Sequence, residues 1–166
     1  MTEELGARVF LDVVRHAPLV SIDLVVRRPS GECLLGWRRN PPARGWWFVP
    51  GGRIRKNEPI GAALQRITRG ELGLAITLDQ TRFLGVHEHI YDDNAGSEPG
   101  FGTHYVVLAF ELMWSDDRMP RPDDQHDRFR WAGPAEVLAD ETVHPFSRAY
   151  LDRDAPPVAG GAGFGS

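Results

Sequence analysis

Apolar and polar positions between residues 19 and 27 alternate as they do along a strand, with Val20, Ile22, Leu24 and Val26 on one face and Ser21 and Asp23 on the other. Upstream, Val9, Phe10, Val13 and Val14 recur at helical spacing, which predicts an amphipathic helix ending before Pro18. The turn residues Pro29, Ser30 and Gly31 lead into a second strand over 32–38, so the pair reads as a hairpin. A tryptophan-bearing run, 46–50, is strand-like and is followed by Gly51 and Gly52, adjacent glycines that read as a loop. A helix is then expected from near Asn57: Ile60, Ala63, Leu64 and Ile67 make one apolar face, Arg66 and Arg69 point away, and Gly73 is the stop. Further strands are predicted over 83–91, 104–112 and 129–131, and short helices over 134–139, opened by Pro134, and 145–151. Residues 92–102 read as a flexible loop and 115–127 as an acidic one, while the Pro, Gly and Ala of 153–166 predict a disordered tail. Periodicity alone thus defines one mixed α and β domain over 1–152, whose residues 1–16 form a helical segment.

Bulk properties narrow the partners. A chain of 166 residues is long enough for one sizeable core. Nineteen basic against 23 acidic residues give a net charge of −4, and no basic block or aromatic-interleaved basic stripe occurs, so no nucleic-acid partner is expected. The single cysteine, Cys33, lies in an apolar run and cannot form an internal disulfide; it reads as a small buried hydrophobe, which fits a reducing cytoplasm. No apolar run approaches the roughly 20 residues of a membrane span, and the amino terminus carries no signal-peptide pattern.

One residue breaks the helix pattern. At about 100° per residue, Glu71 projects between Leu64 and Ile67, on the face meant for the core. A carboxylate there is costly unless it is paired, reaches solvent or binds a metal. Arg66 is a ready pairing partner, so the local pattern leaves both readings open.

The spacing Gly52, five residues, Glu58, seven residues, Arg66, then Glu71, Leu72, Gly73 and Leu74 resembles the Nudix box, G-x5-E-x7-R-E-U-x-E-E-x-G-U. Two acids of that box are missing: Ile67 stands for the Glu after the Arg, and Gly70 for the first of the paired Glu. The depleted box, with SIDLVV, GWRRNPP, WWFVPGGR, HIYDDN, THYVVLAF and PDDQHD around it, is similar to the GDP-mannose mannosyl hydrolases. That resemblance implies an α/β fold, a Nudix-type α/β/α sandwich with a mixed β-sheet, and a homodimer to which the N-terminal segment contributes. It implies one magnesium ion, replaceable by manganese, held by the Gly51 carbonyl, Glu71 and Gln125. By family position His126 is the general base, Arg38 grips the diphosphate with help from Arg53 and Tyr105, Asp23 is an active-site acid, His89 meets the sugar hydroxyls, and Phe10 lies at the guanine. Taken singly, each has an ordinary reading: Asp23 a structural acceptor, Arg38 a solvated charge, Tyr105 a strand aromatic, His126 an inert loop residue, Phe10 a core contact.

A nucleotide sugar offers water two bonds, the phosphoanhydride at phosphorus and the C1–O bond at the sugar. Ordinary Nudix enzymes crowd carboxylates around several cations to attack phosphorus, and a box keeping one of three such acids suits that poorly. Attack at C1 expels a nucleoside diphosphate, which a cation and arginines neutralise without a strong general acid; it needs a base for the water. Neutral imidazole is available near pH 7, since its ordinary pKa is about 6.5. The expected activity is hydrolysis of GDP-mannose, and of GDP-glucose alongside, to GDP and free sugar with inversion. The rivals are an ordinary pyrophosphohydrolase releasing GMP and sugar 1-phosphate, with a base such as Glu88 or Asp92, and a non-catalytic module that binds nucleotide sugars.

Overall fold

The computed structural model describes residues 6–115, 120 and 126–152, with the backbone alone of 126 and 127. The N-terminal periodicity forms α1 (Ala7–His16), which buries Val14 and leaves Val9 exposed. The alternating run forms β1 (Leu19–Arg27), joined as predicted to β2 (Cys33–Arg38) by a hairpin with Arg27 opposite Cys33. The tryptophan run is shorter than expected: β3 is Trp47–Phe48 alone. Gly51 and Gly52 are not loop but belong to a strand, β4 (Gly51–Arg53), antiparallel to β1 with Asp23 opposite Gly51. Their lack of side chains serves close approach rather than bending, because a Cβ on Gly51 would sit 2.5 Å from the Ile22 carbonyl oxygen.

The box helix α2 runs Ile60–Leu72, three residues later than expected at its start, since Asn57 takes φ of 62° and Pro59 occupies the N-cap. Gly73 ends it in the left-handed conformation, φ 78°, as the stop signal required. Two long strands follow, β5 (Arg82–Tyr91) and β6 (Thr103–Met113). Beyond them lie β7 (His126–Ala132), α3 (Pro134–Ala139) and α4 (Pro145–Ala149). The connection 92–102 is organised around fully buried Asn94, whose side chain accepts from the Gly96 and Glu98 amides and donates to the Glu98 and Phe101 carbonyls.

Among the described residues the strands form one mixed seven-stranded sheet, ordered β3-β2-β1-β6-β5, with β4 on β1 and β7 on β2. The β1–β6 pair is parallel and the others antiparallel. β1 is therefore central and covered on both faces, which is why its pattern does not divide into buried and exposed: of its residues only Val20 is exposed. Ile22, Leu24 and Val26 pack with Ala63, Leu64 and Ile67 of α2 on one side. Val25, Cys33 and Leu35 pack with Val137 of α3, Val143 and Leu151 on the other. These two cores make an α/β/α sandwich. No helix among the described residues is long and apolar enough to cross a membrane.

Candidate active site

Register decides what meets at the centre. Across β1, β6 and β5, Leu19 lies opposite Tyr105 and Tyr105 opposite His89, so Tyr105 and His89 share a face with Ser21 and Asp23. β4 adds Gly51, Gly52 and Arg53 along the other edge of β1. Above them is a cavity of about 300 Å³ whose walls include Phe10, Asp23, Arg38, Gly51, Arg53, His89 and Tyr105. Seven positions named from sequence therefore converge from α1, β1, β2, β4, β5 and β6. Asn40, Phe48 and Tyr91 also line it and were not anticipated as site residues.

Two cations, Arg38 and Arg53, line the cavity. Arg53 lies 4.2 Å over the Phe10 ring, and Arg38 donates from Nε to the Pro42 carbonyl at 3.0 Å. Burial pushes the Tyr105 phenol above its ordinary range while Arg38 and Arg53 pull it down, so all three share one field.

Asp23 lines the same cavity. It is 7 % exposed, and burial pushes its carboxyl up to about 7 against the opposing pull of a 2.7 Å hydrogen bond from the Tyr150 hydroxyl and of the Arg38 charge. Burial takes His89 down to about 3, with His87 and His144 adding to the depression. Although His89 Nδ1 lies 3.9 Å from Asp23 Oδ2, the imidazole is neutral at pH 7 and the contact is not an ion pair. Phe146 stacks on the His89 ring at 4.2 Å and 3°. Tyr150 and Phe146 have no local sequence signal, for Tyr150 reaches Asp23 across 127 positions of chain.

The box residues behave differently. Arg66 binds Glu58 through Nε at 2.6 Å and Nη2 at 2.8 Å and also donates to the Arg53 carbonyl, so this pair ties the helix to the end of β4. Ile67, where the box has Glu, belongs to the core and presses on Gly52, whose Cβ would sit 3.0 Å from Ile67 Cγ1. Glu71 is buried on α2, 3 % exposed, and does not line the cavity. Gly70 is exposed and a Cβ there would meet open space, so an acid at this position would face solvent rather than the core. Among the described residues no three His, Cys, Asp or Glu side chains gather as a metal cluster. The oxygen donors that remain, a buried carboxylate and backbone carbonyls, fit a hard divalent cation that keeps much of its shell as water and phosphate.

Gln125, assigned to the metal from sequence, lies outside the described residues, as does the tail 153–166. The side chain of His126 is likewise outside them, but its backbone pairs with Arg38 at the end of β7. β7 begins earlier than the predicted strand 129–131, which brings this position to the strand end bearing Arg38.

A mixed sheet between helices, with a box helix bracing an arginine-lined cavity, is the architecture of a Nudix hydrolase. The NUDIX domain model matches residues 17–153, and the chain belongs to that family. It is 42% identical over 140 residues to the low-salt glycan biosynthesis protein Agl8 of Haloferax volcanii, covering 84% of each chain. The MutT NUDIX hydrolase of Burkholderia pseudomallei matches in structure with a TM-score of 0.64 and 28% identity, over 82% of this chain and 97% of that one. The NUDIX domain of Shewanella oneidensis NrtR, complexed with ADP ribose, matches with a TM-score of 0.59 at 18% identity, over 84% and 90%.

Proposed function

We propose that this protein hydrolyses GDP-mannose, and GDP-glucose alongside, to GDP and the free sugar, by attack of water at C1 with inversion. The observation that carries the reading is the packing of Ile67 against Gly52. The space where an ordinary box would bring a second carboxylate to the helix is filled with core, while the groups suited to a diphosphate and a sugar are gathered in the cavity. Similarity to a glycan biosynthesis protein supports a sugar-bearing substrate.

In this reading Arg38 and Arg53 grip the diphosphate, with the Tyr105 hydroxyl as a further donor, and Phe10 stacks on guanine. Asp23 and His89 hold the sugar, and the Asp23 carboxylate faces the positive charge that develops at C1. The His126 imidazole takes the proton of the attacking water as the oxygen bonds to C1, and the electron pair of the broken C1–O bond leaves on GDP. Magnesium, held by the Gly51 carbonyl, Glu71 and Gln125, would supply neutralising charge to the leaving diphosphate.

Hydrolysis in ¹⁸O-labelled water tests the reading directly. Labelled mannose beside unlabelled GDP is expected. Labelled GMP or mannose 1-phosphate would mean attack at phosphorus, and no turnover would point first to other sugars and then to a binding module. With His126→Gln, kcat is expected to fall at least about 100-fold with KM little changed, the scale of lost general-base catalysis. Unaltered turnover would remove His126 from the mechanism.

A further inference from the structure

The sugar end of the cavity is built by a segment far along the chain. Phe146 of α4 lies flat on His89, and Tyr150, just past α4, meets the edge of His87 at 4.8 Å between ring centroids. The Tyr150 hydroxyl donates to Asp23 Oδ2 at 2.7 Å and stands 3.4 Å from His89 Nε2. A phenol has one proton, and the shorter contact to the stronger acceptor takes it. Its oxygen is then left to accept from His89, which requires the neutral ring to carry its hydrogen on Nε2 and leaves Nδ1 as an acceptor. One hydroxyl thus links the two groups.

We propose that Tyr150 is a positioning residue of the sugar subsite, holding Asp23 and His89 in a single arrangement while Phe146 fixes the plane of the imidazole. This rests on the nucleotide-sugar hydrolase reading, in which Asp23 and His89 touch the sugar. The segment is docked without the hydroxyl: Val49 N donates to Ser147 Oγ at 3.0 Å, His144 N to the Trp47 carbonyl at 3.0 Å, and Val143 bridges to Trp47. Tyr150→Phe therefore removes the link and keeps the ring in place.

The test is a cycle of Tyr150→Phe, Asp23→Ala and the double variant, with GDP-mannose and magnesium, following kcat, KM and the thermal midpoint. Tyr150→Phe alone is expected to lower kcat at least about tenfold, as small misplacements of reacting groups do, with KM within about threefold and an unchanged midpoint. In the Asp23→Ala background the same substitution is expected to change kcat less than about threefold, because its main partner is already gone. Wild-type kcat in Tyr150→Phe, or the same loss in both backgrounds, would overturn the inference. A wild-type protein inactive on both GDP-mannose and GDP-glucose would instead overturn the hydrolase reading, and the inference with it.

Discussion

A carboxyl held near pH 7 inside a fold works against the fold. Unfolded, Asp23 would ionise near 3.8; folded, burial holds it at about 7, so between those values the native state keeps a proton that the unfolded chain has lost. The contribution of this group to stability therefore declines as pH rises through that window, and the penalty is complete above about 7. Asp23→Asn removes the charge while keeping an acceptor for Tyr150, and it is expected to stabilise the protein at pH 8 by about 1–4 kcal/mol, the upper end being the full linkage value. The gain should vanish near pH 4, and the substitution should lower turnover without abolishing it, a trade of stability for function. Urea unfolding of both proteins at the two pH values reads this out, and a gain independent of pH would mean that the charge is not its source. Cys33 is a contrasting case: burial pushes its thiol up to about 12, and the side chain is inert core, as its apolar setting in the sequence foretold.

At the scale of elements, β4 and α2 form one unit, because Gly52 accepts the Ile67 side chain and Arg66 clasps both Glu58 and the Arg53 carbonyl. Ile67→Glu, which restores a box acid, is expected to destabilise the metal-free protein by about 3 kcal/mol or more, because it removes a core side chain and puts a charge in its place. It should not turn the enzyme toward GMP release. The thermal midpoint with chelator and a product assay check the two halves of this prediction; an unchanged midpoint would mean the glycine pocket tolerates the acid. Gly51→Ala is expected to be worse than Gly52→Ala, since its Cβ meets a backbone oxygen at 2.5 Å whereas that of Gly52 meets a side-chain carbon, Ile67 Cγ1, at 3.0 Å. These packing facts mark the limit of sequence reading. The periodicity of α2 and its Gly73 stop were legible because they are local, as were β1, β2, β5 and β6. The glycine pair was misread as a loop because its reason is the backbone of β1, some 30 positions earlier in the chain. Burial of both faces of β1 was hidden for the same reason: β4, β6 and two layers of helix reach it from elsewhere. Apart from Phe10, the cavity residues named from sequence lie inside the family motifs, whereas Tyr150 and Phe146 stand outside any motif and are brought in only by tertiary packing.

For the whole molecule, the two cores on either side of β1 differ in what they hold. The α2 side is mostly aliphatic, with Phe110 and Trp114 among its buried residues, whereas the α3 and α4 side runs into the aromatic and histidine-rich wall of the cavity, where His89 and His144 are held neutral at about 3 and about 4. Both would bind a proton near 6.5 when unfolded, so they contribute stability that is present above about 6.5 and lost as the pH falls through the window down to their folded values. Asp23 acts in the opposite sense over nearly the same range, because its folded form keeps its proton. His89 and Asp23 therefore nearly cancel between pH 5 and 6. His144 is less deeply buried, and screening reduces its share. The wild-type protein is expected to lose stability with acid across that range through His144 and His87, whose folded values burial also lowers. Removing Asp23 lifts the cancellation, so Asp23→Asn should steepen the slope by about one further proton. Unfolding free energies from urea titrations at pH 5.0, 5.5 and 6.0 in the two proteins measure both slopes. Equal slopes would show that Asp23 is already ionised in the folded protein across this range, in which case the Tyr150 hydroxyl and the Arg38 charge outweigh burial at the sugar end of the cavity.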